Sequence, residues 1–573
     1  MDKKLFYNGE IYSVNSSGTA EISKALYIEG ETIRAVGDFS PEDFSGTDTE
    51  CIDLKGNAVL PGLSDSHLHV SSTAEMVFDL PIYYLCEAGD TRETLLQKYI
   101  DRVGAFAKEH PDMKVVRASG WDPAPFYDME GGLPTACELD AACSDRPAIL
   151  VSYDHHFLWV NSKALAISGI DADTPTPRNG TIERDETGAP TGVFSETTAI
   201  DELRRRVPGA DYSVEEYEAG ILEYQKTYGL PFGTMLVCDA LVTDNARCAY
   251  QNLARSGQLN MRVRGCIYAD PAGDPAQFDR MIEEKGIYDT GDLFRMQTIK
   301  FFMDGSILSF YLEKPFEKEF LKAHGLPEDY LGFPQWDLQE VKDAFLKLHN
   351  AGFQIHVHCM GAGAVHQALD AFEYVKENGM DLDNRHVIAH VMNILPEDLE
   401  RMAELGVIAA MQPMWEIYDA FTEASYGLLG VERVLDSYPL GKLKRAGVTI
   451  TCGTDFPVTI PPSPFLGIAT GITRSIGQGN EQSELYGDKV LGPAEDPYVN
   501  CATLTDMVGG YTVFGAYQAF CEETTGSLKP GKSADFVLLD GTIADTDPDK
   551  IRQLAVKESW FKGRRVYCSK SAE

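Results

Sequence analysis

Eight short apolar segments, separated by amphipathic helical runs, constrain the middle of this chain to a parallel α/β sheet. The segments are Val59–Val70, Met235–Asp239, Met261–Tyr268, Gln297–Asp304, Gln354–His358, His386–Val391, Val407–Gln412 and Val448–Asp455. Strands buried on both faces read as near-continuous apolar runs, and the helices between them supply the crossovers. Helical runs fill the later gaps at Leu338–Asn350, Ala364–Asn378, Pro396–Leu405 and Val431–Ala446. Gly352, Gly379, Gly406 and Gly447 each follow a helix, where a left-handed residue commonly closes the last turn. Eight β/α units predict a TIM (β/α)8 barrel. An open doubly wound sheet would show an early Gly-rich phosphate turn, and none is present.

The two ends have a different texture. Residues 1–59 alternate apolar and polar positions around Asn-Gly, Glu-Gly and Lys-Gly turns. Residues 527–573 repeat that texture, with a strand at Ala534–Asp540 and a hairpin at Ser559–Tyr567. One small β-sandwich assembled from both termini is expected, with residues 60–526 as the barrel between them. More than 150 residues separate the first barrel strand from Met235, far too many for one crossover. About 76–215 reads as an insertion over the barrel mouth, either a lid and pocket wall or an embellishment. Its aromatic loops, carrying Trp121, Phe126, Tyr127, Tyr153, His156 and Trp159, favour the pocket.

Composition excludes several classes of partner. A formal charge of −38 and a pI near 4.6 argue against nucleic acid and anionic membrane surfaces. No stretch approaches the length of a membrane span, and the first residues lack the apolar core of a signal peptide. The twelve cysteines are scattered without a CxxC pair, so reduced thiols and a cytoplasmic location are expected.

The chemistry starts at Pro61-Gly62-Leu63-Ser64-Asp65-Ser66-His67-Leu68-His69. Histidines at i and i+2 of a strand leave on one face about 7 Å apart, so both imidazoles can lean onto one ion. Alone, such a pair is weak evidence, because two structural histidines account for it more simply. Active sites of barrels sit at the C-terminal ends of their strands, which supplies a test. His67 and His69 end strand one, Lys300 lies in strand four, His356 and His358 end strand five, His390 ends strand six, and Asp455 closes strand eight. Lys300 is either a structural lysine paired with Asp304 or a buried neutral amine able to take up CO₂. His356 reads as a core histidine and His358, nearer the strand end, as a ligand. His386 begins its strand and faces the other end. Asp455 either caps the turn before Pro457 or serves as a ligand that also handles a proton.

That set resembles the amidohydrolase superfamily, and more closely its YtcJ-like amidohydrolase-3 family. The resemblance spans nearly the whole chain. It includes Ser119-Gly120-Trp121-Asp122, Val160-Asn161-Ser162-Lys163-Ala164-Leu165, Gly192-Val193-Phe194-Ser195-Glu196, Ile299-Lys300-Phe301-Phe302-Met303-Asp304-Gly305-Ser306, and Gly526-Ser527-Leu528 through Ala534-Asp535. The resemblance implies a metal-dependent hydrolase of C–N amide-type bonds, acting on an N-substituted formamide or an acyl amine. It implies one or two divalent ions, zinc by expectation, held by His67, His69, His358, His390 and Asp455 with carboxylated Lys300 bridging. A metal-activated hydroxide would attack the amide carbon, and Asp455 would pass its proton to the departing nitrogen. Trp121, His156 and Trp415 are the expected substrate contacts, and a homodimer is open, as for many such barrels.

Two positions depart from the family pattern. Ala362 stands where an aspartate usually follows the strand-five His-x-x-Gly, and Trp415 stands where relatives often place a histidine. A mononuclear deaminase on the same barrel is one alternative, although the glutamate such enzymes carry after strand five is missing from Met360-Gly361-Ala362-Gly363. A non-catalytic degenerate barrel is another, and a protein without metal would favour it.

Overall fold

The computed structural model describes residues 2–305, 309–479 and 482–570. Ser306 of the strand-four motif lies outside them. Eight parallel strands stand side by side in chain order. They are Leu63–Leu68, Thr234–Asp239, Arg262–Tyr268, Phe294–Phe302, Gln354–Cys359, Val387–His390, Ile408–Met411 and Ile450–Cys452, numbered one to eight below. Strands one, two, five, six, seven and eight are buried at every position, polar residues included. The seam between strands eight and one is bridged just beyond their ends. There Asp455 N–H donates to His67 O at 2.8 Å and His69 N–H donates to Phe456 O at 2.7 Å.

The expected first strand, Val59–Val70, is two strands in two sheets. Ala58–Pro61 pairs with Phe536–Leu539 and Glu10–Val14, whereas Leu63–Leu68 enters the barrel. Gly62 makes the transfer, its N–H bonding Asp535 O at 2.9 Å. A Cβ there would stand 2.9 Å from Met235 and 3.4 Å from Asp535, so a larger residue would wedge the junction open. The expected helix Val431–Ala446 is also divided, into Val431–Leu435 and Leu440–Ala446, with Tyr438 in a left-handed conformation ahead of Pro439. Gly352, Gly406 and Gly447 have φ of 75°, 67° and 92° and close their helices as expected. Gly379 does not. Its backbone is extended, and crowding explains the glycine, since a Cβ would lie 2.6 Å from Val375 O.

Two further sheets lie outside the barrel, the first drawing on both termini and the second on N-terminal strands alone. One runs Arg564–Cys568, Val556–Phe561, Phe536–Leu539, Ala58–Pro61, Glu10–Val14, Ala20–Ser23. The other runs Thr32–Gly37, Ala25–Glu29, Lys3–Tyr7, Glu50–Asp53. Phe6, Leu26, Val59, Phe536 and Trp560 meet in one apolar cluster, with Phe536 stacked on Trp560 at 5.5 Å.

Between barrel strands one and two the chain builds a fourth sheet. Its order is Thr181–Arg184, Pro190–Ser195, Phe157–Val160, Ala148–Ser152, Val116–Trp121, Leu80–Pro81. Helix Arg92–Glu109, capped by Thr91, packs on it. One apolar cluster gathers Leu95, Tyr99, Trp121 and Trp159, and another Ile149, Leu158, Phe194 and Leu203. This sheet touches the barrel through Ser309 Oγ, which donates to Glu196 Oε1 at 3.0 Å, and through Asn179, whose amide bonds Gln335 O. Among the described residues, no helix is long and apolar enough to cross a membrane.

Candidate metal centre

Register brings the expected ligands to one level. Lys300 of strand four stands opposite His356 of strand five, Phe302 opposite His358, and Cys359 opposite His390 of strand six. The side-chain period of two then turns Lys300, His356 and His358 inward together. Strand one contributes His67, and His69 follows it directly. Donor atoms of His67, His69 and Asp455 lie within 4.8 Å of one another. Asp455 Oδ1 is 3.5 Å from His67 Nε2 and 3.3 Å from His69 Nε2, and Lys300 Nζ is 3.4 Å from His67 Nε2. The ring of His390 is centred 4.8 Å from His67 and 4.5 Å from His358.

Neighbouring groups fix these side chains. His390 Nδ1 is 2.8 Å from Gln412 Oε1, and Gln412 Nε2 donates to Ala410 O at 3.1 Å. The amide oxygen is therefore the acceptor, His390 carries its proton on Nδ1, and Nε2 is left with a lone pair. Asp65 accepts from Thr454 Oγ1 at 2.5 Å, Thr454 N–H at 3.1 Å and His67 N–H at 3.3 Å, tying strand one to the turn that carries Asp455. Asp304 accepts from the N–H groups of Met360, Gly361 and Tyr311, and its Oδ1 is 3.6 Å from His358 Nε2. His390 and Asp455 have φ of 75° and 54°, unusual for residues with a Cβ and characteristic of strained functional positions.

Electrostatics leave this cluster rich in lone pairs. Burial, then the Lys300 charge, hold the imidazoles of His67 and His356 well below their usual pKa. Burial, opposed by Asp455, brings His390 down to about 4. Burial lowers Lys300 to about 8, so its neutral amine is accessible near physiological pH. Burial opposes charge on Asp455, yet the adjoining His69, His390 and Lys300 outweigh it and keep the carboxyl below its ordinary value. Among the described residues, three buried atoms of this cluster, His356 Nδ1, His358 Nε2 and Asp455 Oδ1, make no well-formed hydrogen bond. Buried polar atoms seldom lack partners, and neutral imidazoles beside an ionised carboxylate are the donor set of a divalent cation. The residues present fit such an ion.

The expected substrate contacts divide. Trp415 stacks on His390, with rings 5.5 Å apart and 9° from parallel, and its Nε1 donates to Thr459 Oγ1 at 2.7 Å. His156 Nδ1 pairs with Glu196 Oε2 at 2.9 Å. Trp121 is completely buried among Phe126, Phe157 and Trp159 in the insertion, so its ring is core packing rather than pocket lining. His386 sits at the far end with His349, as its place at the start of strand six implied. Ala362 begins helix Ala362–Asn378, fully within its first turn, and brings no polar group. Asp65, Gln412 and Glu196 escaped the sequence reading as parts of the site. Asp65 was accessible to it, since i and i−2 share a strand face with His67.

The amidohydrolase family model matches residues 50–567. The chain belongs to the amidohydrolase family. It is similar to the putative amidohydrolase YtcJ of Bacillus subtilis (strain 168), at 25% identity over 99% of both chains. It is also similar to the N-substituted formamide deformylase of Arthrobacter pascens, at 23% identity over 98% of this chain and 97% of that one. In fold it is similar to the crystal structure of an uncharacterized metal-dependent hydrolase from Pyrococcus furiosus. That match has a TM-score of 0.68 and 24% identity, over 96% of this chain and all of the other.

Proposed function

We propose that this amidohydrolase-family protein cleaves a C–N amide-type bond in a small molecule, an N-substituted formamide or a related acyl amine, using divalent metal, zinc in the first instance. One observation carries the reading: His67, His69 and Asp455 offer donor atoms within 4.8 Å of one another, with Lys300 beside them. His67, His69 and Asp455 would hold one ion, and His358 and His390 a second, with Lys300 as a carbamate between them. Bound there, a divalent cation polarises the scissile carbonyl and makes water nucleophilic near neutral pH.

The chain's own groups do the rest. Asp455, kept ionised by the neighbouring His69, His390 and Lys300, takes the proton of the attacking water and returns it to the departing nitrogen. Gln412 keeps the Nε2 lone pair of His390 available. Trp415 covers one face of His390 and offers an apolar wall to the substrate. The name of the Arthrobacter relative, an N-substituted formamide deformylase, supports formamides as the first substrates to try.

The test is amine release by zinc-loaded protein from a panel of N-benzylformamide, N-benzylacetamide and longer N-acylbenzylamines. Turnover that disappears on chelation and returns with zinc is the expected result. Protein with a full metal complement that leaves the whole panel intact would refute the assignment.

A further inference from the structure

We infer that the insertion supplies its own donor to the reacting carbonyl: His156 hydrogen-bonds the oxygen on which negative charge develops, and Glu196 is the residue that positions it. This rests on the hydrolase reading and deepens it.

The backbone sets the two side chains next to each other. Phe157 pairs with Ser195 across the antiparallel strands, and Glu196 N–H donates to His156 O at 2.9 Å. His156 Nδ1 then meets Glu196 Oε2 at 2.9 Å. Glu196 holds φ 64° and ψ 153°, a region that residues other than glycine enter only when their surroundings enforce it. Its carboxylate also reaches the barrel. Oε1 accepts from Ser309 Oγ at 3.0 Å, and both oxygens lie 2.9–3.0 Å from where a Cβ on Gly305 would stand. Gly305 follows Asp304, whose Oδ1 is 3.6 Å from His358 Nε2. Three contacts therefore connect His156 to a candidate ligand. A cavity of about 10 Å³, room for one water, lies between Glu196, Phe302 and Asp304.

Pinning the insertion to the barrel would need Glu196 and Ser309 but not an imidazole. With Nδ1 committed to Glu196, His156 Nε2 makes no hydrogen bond among the described residues. Burial works against a charge on His156, but Glu196, Asp154 and Asp455 favour it and raise its pKa to about 9. The imidazolium field is felt at His358. A fixed donor aimed at developing charge in a dry site is the usual form of oxyanion stabilisation.

The experiment uses zinc-loaded full-length protein, H156Q and E196Q, with inorganic phosphate as a tetrahedral oxyanion probe followed by calorimetry. Expected are unchanged metal content and a tenfold or greater loss of phosphate affinity in H156Q, with a smaller loss in E196Q. On the best amide of the panel, kcat of H156Q should fall about 10²–10³-fold with KM changed less than threefold. Fully metallated H156Q with wild-type phosphate affinity, or with the loss confined to KM, would overturn the inference. So would loss of metal or fold in both variants, which would make the pair structural. Failure of the hydrolase reading would show separately, as wild-type protein inert toward every amide, and the phosphate measurement would still decide on His156.

Discussion

His356 Nε2 lies 2.7 Å from Nδ1 of His67, deeper in the barrel than the cluster of donor atoms. For His67 Nε2 to offer a lone pair to an ion shared with Asp455, its Nδ1 must carry the proton and donate it to His356. His356 thereby becomes the residue that selects the tautomer of a candidate ligand. His356→Ala should weaken zinc binding about 10- to 100-fold while the far-UV spectrum is retained. Competition against a chromophoric chelator measures this, and unaltered affinity would remove His356 from the site.

Lys300 is completely buried, with its amine 3.4 Å from His67 Nε2 and 4.8 Å from the Phe302 ring. Protein prepared in ¹³C-bicarbonate should show a carbamate carbon resonance that is missing from Lys300→Ala. The variant should also hold less metal than wild type and lose turnover. A variant with full metal content and normal hydrolysis would leave Lys300 without a role.

Arg474 and Glu416 form an ion pair with both side chains fully buried, 2.9 Å apart. Arg474 also donates to the carbonyls of Leu491, Tyr438 and Ser437. Glu416 follows Trp415, so this pair anchors the segment that stacks on His390. Arg474→Met leaves the buried Glu416 carboxylate and the carbonyls of Leu491 and Ser437 without their donor, and should cost about 3–5 kcal/mol in urea unfolding. Adding Glu416→Leu should recover much of that loss, because the stranded charge is removed.

At the opposite end of the barrel, Ile355 N–H donates to His386 Nδ1 at 3.1 Å. His386 Nε2 is 3.0 Å from His349 Nδ1, and His349 Nε2 is 2.8 Å from Met380 O. This relay works only with both rings neutral, and burial lowers His386 to about 3. The unfolded chain takes up a proton near pH 6.5 that the folded one refuses. The stabilising contribution is therefore complete above pH 6.5 and is lost as pH falls toward 3. Thermal midpoints between pH 7 and 4 should drop less steeply in His386→Gln than in wild type. Equal slopes would show that His386 is not the group responsible.

The barrel was legible because most of its strands are buried on both faces, and several carry apolar runs such as Met235–Cys238 and Ile408–Met411. Val59–Val70 misled for the same reason. Both of its halves are buried, and only the crowding around Gly62 marks where one sheet gives way to another. The candidate ligands could be picked out from their position at strand ends. Their partners were not, because Gln412, His356 and Glu196 act through contacts between residues distant in sequence. Trp121 shows the opposite error: an aromatic in a loop-rich segment looks like a pocket wall until its sheet is seen to have a core of its own.

The seam beside strand one has a consequence for the making of this protein. Asp65 grips Thr454 across 389 residues, and His69 N–H finds Phe456 O only when the eighth stave arrives. A nascent polypeptide that has passed the ribosome only as far as strand seven holds His67 and His69 without Asp455. The three-donor cluster is therefore complete only once the last barrel strand is in place.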